Sequence, residues 1–257
     1  MSPLFGKSHK LFISGNGLSI ARSRDVESRS DFERFSRDCD ASNPEDLCQS
    51  LHALVNDVAE EVKRVEIILS NELVEYQMIT FPPQWLREDE RLVLVKNHFT
   101  KVYGEQANDW YFAFEGDYKP GERRLACAIS GLNFQLDANF EAMLAVKIRS
   151  IQPMAVALAN LHRKKLKTAW LVVHEFENLV LMYIKKGNVK FVRKLRAKLE
   201  GLGDLQRVLR QNRLLSQTIQ DDEPVHLYSS APELFAETIA NIAIKSPVKI
   251  ETVAWLQ

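Results

Sequence analysis

Residues 169–195, AWLVVHEFENLVLMYIKKGNVKFVRKL, hold three apolar runs separated by short polar segments. The runs Ala169–Val173, Leu179–Ile184 and Val189–Leu195 are rich in the β-branched and aromatic side chains that strands favour. Between the second and third runs, Lys186-Gly187-Asn188 offers residues that suit a tight turn. The stretch therefore predicts three consecutive strands joined by short turns.

The arrangement of elements occurs twice along the chain, although no sequence repeat of about 20–50 residues accompanies it. In each half, a meander of strands precedes alternating strands and helices. The remaining predicted strands are Lys10–Ile13, Leu18–Ala21, Val65–Leu69, Leu73–Thr80, Trp110–Phe114, Leu125–Ile129, Ile148–Ile151, Val225–Tyr228 and Ile250–Trp255. The predicted helices begin near Pro44 and Pro153 and cover 88–103, 132–146, 203–216 and 232–242. We therefore predict a mixed α/β fold, with one lobe over residues 1–150 that carries an inserted subdomain and a second lobe over 151–257.

Finer predictions concern turns and helix faces. Gly15-Asn16-Gly17 has the composition of a type I′ hairpin turn. Residues 22–43, rich in Arg, Ser and Asp, predict an irregular loop. Gly104 predicts the end of the helix over 88–103. The apolar stripe expected on that helix consists of Leu92, Val95, Phe99 and Val102.

Charge is balanced in total but unevenly distributed. The 257 residues carry 34 basic and 34 acidic side chains, so no global charge points to nucleic acid. Residues 1–160 hold 18 basic and 24 acidic side chains, whereas residues 161–257 hold 16 and 10. The asymmetry fits two lobes of different surface charge, or a chance division of solvated side chains.

The cysteines and the apolar segments indicate which cellular compartment the sequence fits. Cys39, Cys48 and Cys127 are odd in number and lack C-x-x-C spacing, which argues against a disulfide framework or structural zinc and fits a reducing cytosol. The start of the chain lacks the apolar core of a signal peptide. No apolar stretch approaches the roughly 20 residues that span a bilayer. We therefore expect a cytoplasmic protein that reaches a membrane only through something else.

Several spaced phrases of the sequence carry a resemblance. They are LSNELVEY at 69–76, FPP at 81–83, HFTKVYG at 98–104, RLACAI at 124–129, IQP at 151–153 and WLVV at 170–173. Their succession, over residues 8–200, resembles the cytoplasmic domain of the L subunit of the bacterial type II secretion system. It is similar, more distantly, to the M protein of type IV pilus assembly. The doubled layout resembles the actin-like ATPase (ribonuclease H-like) fold.

The resemblance implies a scaffold at the cytoplasmic face of the inner membrane. Such proteins bind the N-terminal part of an assembly ATPase or the cytoplasmic tail of a membrane subunit, and they have no small-molecule substrate. The L subunit continues into a membrane helix and a periplasmic domain, whereas this sequence ends at Gln257. We therefore expect a stand-alone relative or a piece of a longer protein, attached peripherally rather than anchored. A homodimer stays open.

The resemblance also bears on nucleotide binding. Active members of the fold carry an acidic-Gly motif at each of two hairpins, where carboxylates hold Mg²⁺ and glycine lets the backbone approach phosphate. Here Ser14 falls at the first carboxylate position, His174 at the second, and Phe176 at the second glycine position. A hydroxyl carries no charge, an imidazole is a poor Mg²⁺ ligand, and a phenyl ring crowds phosphate. We therefore expect no cofactor, no metal and no ATPase activity.

Other reactive side chains lack catalytic or metal-binding spacing. None of the six histidines follows an H-x-x-x-H or H-E-x-x-H pattern, and neither G-x-S-x-G nor a Walker-type loop occurs. Cys127 lies in an apolar run and predicts a buried thiol rather than a nucleophile. The carboxylates at 221–223 precede a proline and predict a solvated loop.

A group of basic residues in the C-terminal half is a candidate interaction surface. Its members are Lys185, Lys186, Lys190, Arg193, Lys194 and Arg196. Such a surface attracts anionic lipid headgroups, an acidic protein or nucleic acid. Ordinary solvated surface is an equally good interpretation of the same residues. Aromatic residues are sparse among these cations, which argues against nucleic acid.

Three functions follow, in order of preference. The first is a non-catalytic scaffold of a type II secretion or type IV pilus machine that binds an assembly ATPase, an inner-membrane subunit or both. The second is an actin-like protein that binds ATP through unusual ligands. The third is a nucleic-acid-binding protein that uses the basic C-terminal half.

Overall fold

The computed structural model describes residues 9–23, 32–58, 62–116, 119–130, 146–163, 166–216, 223–230 and 248–252. The strands are β1 (His9–Ile13), β2 (Gly17–Ser23), β3 (Phe32–Asp38), β4 (Arg64–Leu69), β5 (Val74–Thr80), β6 (Tyr111–Phe114), β7 (Arg123–Ile129), β8 (Lys147–Pro153), β9 (Thr168–Glu175), β10 (Asn178–Lys185), β11 (Asn188–Arg196), β12 (Val225–Ser229) and β13 (Val248–Thr252). The helices are α1 (Pro44–Asp57), α2 (Glu88–Tyr103), α3 (Met154–Leu161) and α4 (Leu202–Ser216), with short 3₁₀ segments at Asn71–Leu73 and Glu105–Asp109. The predicted helix at 232–242 and nearly all of that at 132–146 lie outside the described residues, as does the end of the last predicted strand.

The first five-stranded sheet has the order β3-β2-β1-β4-β8. Strand β1 pairs antiparallel with β2 and parallel with β4, and β4 pairs parallel with β8. Leu11 and Ile13 of β1 lie opposite Ile67 and Leu69 of β4, and all four are buried. These aliphatic pairs fix the register, because a shift of one residue would turn every apolar side chain to the other face.

The second five-stranded sheet repeats this order as β11-β10-β9-β12-β13. Strands β9, β10 and β11 form the antiparallel meander, and β12 and β13 continue from β9 in parallel. Strand β9 is buried without interruption from Ala169 to Glu175, as a central strand requires when neither face meets solvent. The predicted mixed α/β class and its doubled layout are therefore confirmed.

Helix α4 covers one face of the second sheet. Its Leu202, Leu205 and Leu209 join Trp170 and Tyr183 in a buried cluster. The rings of Trp170 and Tyr183 lie 5.5 Å apart, centroid to centroid. Because each fully buried large side chain contributes about 1.5–3 kcal/mol, this cluster is a main source of stability for the sheet.

A separate three-stranded sheet, with the order β5-β7-β6, packs against α2. Phe81, Val95 and Phe99 form its core together with Ala126 and Ala128 of β7. The small side chains on β7 leave room for the phenyl rings, so helix and sheet pack closely. In the sequence this sheet lies between β4 and β8.

The helix ends follow sequence signals. The Asn43 side chain accepts hydrogen bonds from the N–H groups of Glu45 and Asp46, at 3.1 and 3.4 Å, and so begins α1. Gly104 ends α2 with φ of 79° and donates its N–H to the Thr100 carbonyl. No helix in the described part of the chain is both long and apolar enough to cross a bilayer.

The described residues group into two compact units. One contains those within Met1–Val74 and Ser130–Ala157, and the other contains those within Glu75–Ile129 and Leu158–Gln257. By this grouping the three-stranded sheet belongs with β9 to β13. The division at residue 150, expected from the sequence, stays a prediction.

Residues 22–43 are not wholly a loop, contrary to the sequence-based expectation. Strand β3 occupies Phe32–Asp38 and pairs antiparallel with β2 along its whole length. Its sequence, FERFSRD, is charged because β3 is an edge strand, where polar residues protect unpaired backbone from aggregation. The high charge concealed the strand from a reading based on apolar runs.

The turn type expected at Gly15-Asn16-Gly17 was also wrong. The hairpin itself forms, but neither Gly15 nor Asn16 has a positive φ, as a type I′ turn demands. The type I′ geometry lies instead between β10 and β11, where Lys186 and Gly187 have φ of 53° and 73°. A positive φ therefore does not explain the glycine at position 15 of the first turn.

The apolar stripe of α2 is narrower than predicted. Val95 and Phe99 are fully buried, whereas Leu92 and Val102 are 43% and 54% exposed. Helix α2 lies on a sheet along one side, so only the arc centred on Val95 and Phe99 enters the core. The two outer positions of the predicted stripe remain at the surface.

Candidate functional site

The β1–β2 turn holds the first of the predicted site residues. Ser14 is 7% exposed, and both its N–H and its hydroxyl donate to the Gly17 carbonyl at 2.9 Å. The hydroxyl also lies 3.3 Å from Asn16 Oδ1. The Ser14 side chain is thus engaged within its own turn rather than presented to a ligand.

The end of the Glu72 side chain approaches Gly15 closely. A Cβ added at Gly15 would lie 2.9 Å from Oε2 of Glu72, which is below any ordinary contact distance. The turn is also held from the other side, because the N–H groups of Cys39 and Ala41 donate to the carbonyls of Asn16 and Gly15. A carboxylate therefore lies against the turn at which active relatives approach phosphate.

Glu72 was not singled out from the sequence. It follows β4, and β4 is the parallel neighbour of β1, so the ends of both strands lie at the same sheet edge. Asn71, one residue earlier, is fully buried and its Oδ1 accepts the N–H of Ala155 at the start of α3. The signal that could have found Glu72 is the polar Ser-Asn-Glu run directly after a buried strand.

The end of β9 and the β9–β10 turn hold the other two predicted site residues, His174 and Phe176. His174 is 2% exposed, and its Nδ1 lies 2.9 Å from the Ser229 hydroxyl of β12. Burial lowers the pKa of the His174 imidazole below its ordinary value, and the ring is therefore neutral at pH 7. The backbone is held as well, because the Ser230 N–H donates to the His174 carbonyl.

Phe176 stands at the tip of this turn in an unfavourable conformation. Its φ is 52°, in the left-handed region that suits glycine, and its side chain is 64% exposed. Its N–H donates to the Ser230 hydroxyl at 3.2 Å. Phe176 therefore occupies a position with glycine-like geometry while projecting an aromatic ring into solvent.

The basic residues of β10 and β11 do not form one open cluster. The Arg193 guanidinium donates to Asn212 of α4, and the Lys194 ammonium lies 2.7 Å from Glu75. Arg196 lies 3.2 Å from Glu177, with both side chains exposed. An irregularity in the β10–β11 register falls between Val189 and Phe191, so Lys190 is extra to the pairing.

Lys185, Lys186, Lys190 and Arg193 are the members of the group that stay exposed without an ion pair to any described carboxylate. These four cations present less charge than the six that the sequence suggested. The role of the group in binding anionic lipid, an acidic protein or nucleic acid stays a prediction.

The residues with redox or metal-binding chemistry are dispersed. Among the described residues, no three His, Cys, Asp or Glu side chains are arranged to hold a metal ion. Cys127 is buried in β7, and burial raises the pKa of its thiol to about 12. Two of the three carboxylates at 221–223 lie outside the described residues.

No family model matches the sequence, and no curated protein is significantly similar to it. Solved structures do match. A PilM-PilN type IV pilus biogenesis complex aligns with a TM-score of 0.61 and 13% identity, over 96% of this chain and 90% of that one. A Bacteroides thetaiotaomicron protein with an actin-like ATPase fold and unknown function aligns with a TM-score of 0.58 and 10% identity, over 95% and 90%.

The chain has the actin-like ATPase fold. The cytoplasmic domain of EpsL, an inner membrane component of the type II secretion system of Vibrio cholerae, is also similar, with a TM-score of 0.51 and 8% identity over 97% of this chain and 86% of that one. The likeness to secretion and pilus proteins expected from the sequence is thus confirmed at the level of the fold.

The actin-like fold relates the two turns described above. Each joins the first two strands of a five-stranded sheet, and the two sheets have the same strand order. Ser14 therefore occupies in the first sheet the turn that His174 and Phe176 occupy in the second. In an actin-like ATPase these two hairpins are expected to carry a carboxylate and a glycine. Here Ser14 and His174 stand at the carboxylate positions, and Phe176 stands at the second glycine position.

Proposed function

We propose that this chain is a non-catalytic scaffold of a type II secretion or type IV pilus machine. It binds an assembly ATPase, an inner-membrane subunit or both, and it lies at the cytoplasmic face of the inner membrane through those partners. Its actin-like fold serves as a platform for protein contacts rather than as a nucleotide-dependent enzyme.

The burial of His174 is the observation that carries the proposal. A position that needs an exposed anionic carboxylate for Mg²⁺ holds instead a neutral ring, hydrogen-bonded to Ser229 inside the second unit. The neighbouring Phe176 keeps the backbone geometry of glycine but adds a ring at the place where phosphate would approach.

The first unit supports the same conclusion through charge. The carboxylate of Glu72 lies against Gly15, and a phosphate at this turn would meet a like charge. Ser14 supplies no compensating charge for a cation, and its hydroxyl is used by the turn. Neither Ser14 nor His174 therefore supplies the anionic charge that a carboxylate would bring to Mg²⁺ at these two hairpins.

Two of the similar structures support protein partners in an envelope machine. One is a complex of PilM with PilN in type IV pilus biogenesis, and the other is an inner membrane component of a type II secretion system. An actin-like scaffold that binds comparable partners is consistent with a chain whose described helices do not span a bilayer.

Nucleotide binding gives the first test. A ligand at 100 times its dissociation constant stabilises a protein by about 2.7 kcal/mol, so Mg-ATP binding would raise the melting temperature measurably. We expect no rise with Mg-ATP compared with Mg²⁺ alone. A rise that saturates with ATP concentration would instead favour the second function, ATP binding through unusual ligands.

Partner binding gives the second test. The tagged chain, cross-linked in its native cells and purified from the envelope fraction, is expected to carry an assembly ATPase or a pilus- or secretion-type membrane subunit. Each recovered partner is then co-expressed with the chain and co-purified to establish direct binding. Recovery of neither class of protein would contradict the scaffold function.

A further inference from the structure

A surface groove runs along α2 in the three-stranded sheet subdomain. It has a volume of about 480 Å³ and lies between one side of α2 and the segment that starts at the end of β5. Ile79 and Leu86 line it from that segment, while Val93, Leu94 and Lys101 line it from the helix. The groove and all of its walls belong to the second compact unit.

The two aliphatic helix residues that line the groove differ in burial, because Leu94 packs against the core of the subdomain whereas Val93 does not belong to it. The packing of α2 on its sheet uses Val95 and Phe99, both fully buried, whereas Val93 is 58% exposed. Trp85, in the segment that leads into α2, is 75% exposed. Apolar side chains exposed beside a concave surface are typical of a site that binds another protein.

The two ends of the groove differ in charge. At one end Glu90 is already engaged, because its carboxylate accepts the N–H of Arg87 at 2.8 Å. At the other end lie His98 and Lys101, with Arg123 of β7 near enough to act electrostatically on His98. Among the described residues, no carboxylate forms an ion pair with Lys101 or Arg123. Within the described part of the chain, this end therefore carries positive charge that no carboxylate pairs with.

The length of the groove suits a short peptide segment. From Glu90 to Lys101 the helix advances by roughly 16 Å. An extended chain covers that distance in about five residues. An apolar floor with charge at one end selects a segment by its aliphatic side chains and by its acidity.

We propose that this groove binds a short segment of a partner protein whose aliphatic side chains pack on Val93 and Leu94 and whose carboxylate meets Lys101 and Arg123. The identity of the partner rests on the scaffold function proposed above, while the chemistry of the segment follows from the groove itself. Burying Val93 removes exposed apolar surface, and the carboxylate neutralises cations that lack an anionic partner among the described residues.

The test begins with a random library of displayed peptides of about 12 residues, selected on the immobilised full chain; this length exceeds the roughly five residues that the groove holds. We expect the selected peptides to share aliphatic residues next to Asp or Glu. A fluorescein-labelled peptide of the consensus sequence then gives dissociation constants by anisotropy. The variant V93D should weaken binding about tenfold or more, because it places a charge where an apolar contact is needed.

A matched control is available on the same helix. Val102 is 54% exposed but does not line the groove, so V102D carries the same change and should weaken the peptide far less than V93D does, through no more than the charge it adds beside Lys101. K101E should lower the affinity for the acidic peptide about fivefold to tenfold. A peptide with Lys in place of its acidic residue should bind K101E more tightly than the acidic peptide does. Equal circular dichroism and melting temperature confirm that the variants fold.

Three outcomes would overturn the inference. They are selection without an acidic aliphatic consensus, equal peptide affinity of V93D and V102D, and self-association in sedimentation velocity that V93D abolishes, since the last would assign the groove to a second copy. The proposed function can fail separately. If V93D still co-purifies with a secretion or pilus partner, the scaffold function stands and the groove inference fails. If the groove binds the selected peptide but no secretion or pilus partner is recovered, the groove inference stands and the scaffold function fails.

Discussion

His174 and Phe176 show how two residues of one hairpin have opposite energetic roles. The imidazole of His174 is buried and hydrogen-bonded to Ser229, so it stabilises the second unit only in its neutral form. Phe176 is exposed and has a φ of 52°, a conformation that costs free energy for a bulky L residue. Both can be examined by stability measurements that need no partner.

The first residue-scale prediction concerns pH. Burial lowers the folded-state pKa of His174 below its ordinary value of 6.5, so below about that pH the unfolded chain binds more protons and stability falls. In H174N the amide replaces the ring nitrogen near Ser229 without titrating. We expect urea unfolding between pH 8 and pH 5 to show a smaller loss of stability in H174N than in the wild type.

A matched control for this experiment removes a histidine from the surface. His52 is exposed on α1, and H52N should retain the pH profile of the wild type. An identical slope in H174N and the wild type would mean that His174 is not held neutral by burial.

The second residue-scale prediction concerns the left-handed backbone at Phe176. Asn tolerates positive φ better than a bulky residue does, and unlike Gly it adds little freedom to the unfolded chain. F176N should therefore raise the free energy of unfolding by roughly 0.5–1 kcal/mol in urea titrations. The neighbouring E177Q alters the same turn at a residue without positive φ and should produce no gain.

At the scale of elements, Glu75 of β5 links α2 to β11. Its carboxylate accepts the Tyr103 hydroxyl at 2.9 Å through one oxygen and pairs with the Lys194 ammonium at 2.7 Å through the other. Burial, followed by the charge and hydrogen bond of Glu75, raises the pKa of Tyr103 to about 12. This network uses Lys194, a predicted interaction residue, to join elements within the second unit.

The element-scale prediction is that E75Q weakens this link. The Lys194 and Glu75 side chains are 15% and 20% exposed, so removing the carboxylate takes a close anionic partner away from a partly buried cation. We expect a loss of about 1–3 kcal/mol in urea unfolding. The pKa of Tyr103, followed by its ultraviolet absorbance, should fall toward the ordinary value for tyrosine.

The exposed pair of Arg196 and Glu177 is the control for this change. Their side chains are 85% and 60% exposed, and E177Q should cost less than about 0.5 kcal/mol. A loss of similar size in E75Q and E177Q would show that the Glu75 network contributes no more than a surface ion pair.

At the scale of the whole molecule, the three free cysteines report on the two units separately. Cys39 and Cys48 lie in the first unit, and Cys127 lies in the second. Burial, with the charges of Asp46, Asp40 and Asp38, raises the pKa of Cys39 to about 11, and burial raises that of Cys127 to about 12. Cys48 is only half-buried.

The whole-molecule prediction is an order of thiol reactivity in the native state. Cys48 should react with iodoacetamide first. Cys127 should react slower than Cys48 by a factor on the order of ten or more, because a buried thiol must wait for local opening. Peptide mass spectrometry after timed labelling measures each site. All three should react alike in denaturant, and equal native rates for Cys48 and Cys127 would contradict the burial described here.

The sequence by itself determined the elements with strong local signals. Such elements depend on neighbouring residues in the sequence, so periodicity and turn chemistry suffice to predict them. They are the apolar runs of β9, β10 and β12, the helix ends at Asn43 and Gly104, and the Lys186-Gly187 turn. The repeated order of strands gave the mixed α/β class and the resemblance to the actin-like fold. The resemblance also assigned Ser14, His174 and Phe176 to the two hairpins, while their bearing on nucleotide binding stays a prediction.

Only the tertiary structure decided which side chains meet. Strand β3 is charged because it is an edge, and nothing local marks an edge. Glu72 reaches Gly15, and Lys194 reaches Glu75 across 119 positions of sequence, through strand pairing that no short window records. The exposure of Val93 beside a groove likewise depends on how α2 packs on its sheet, which no short window of sequence records. Contacts between distant residues depend on how sheets and helices pack, and that packing is a property of the whole fold.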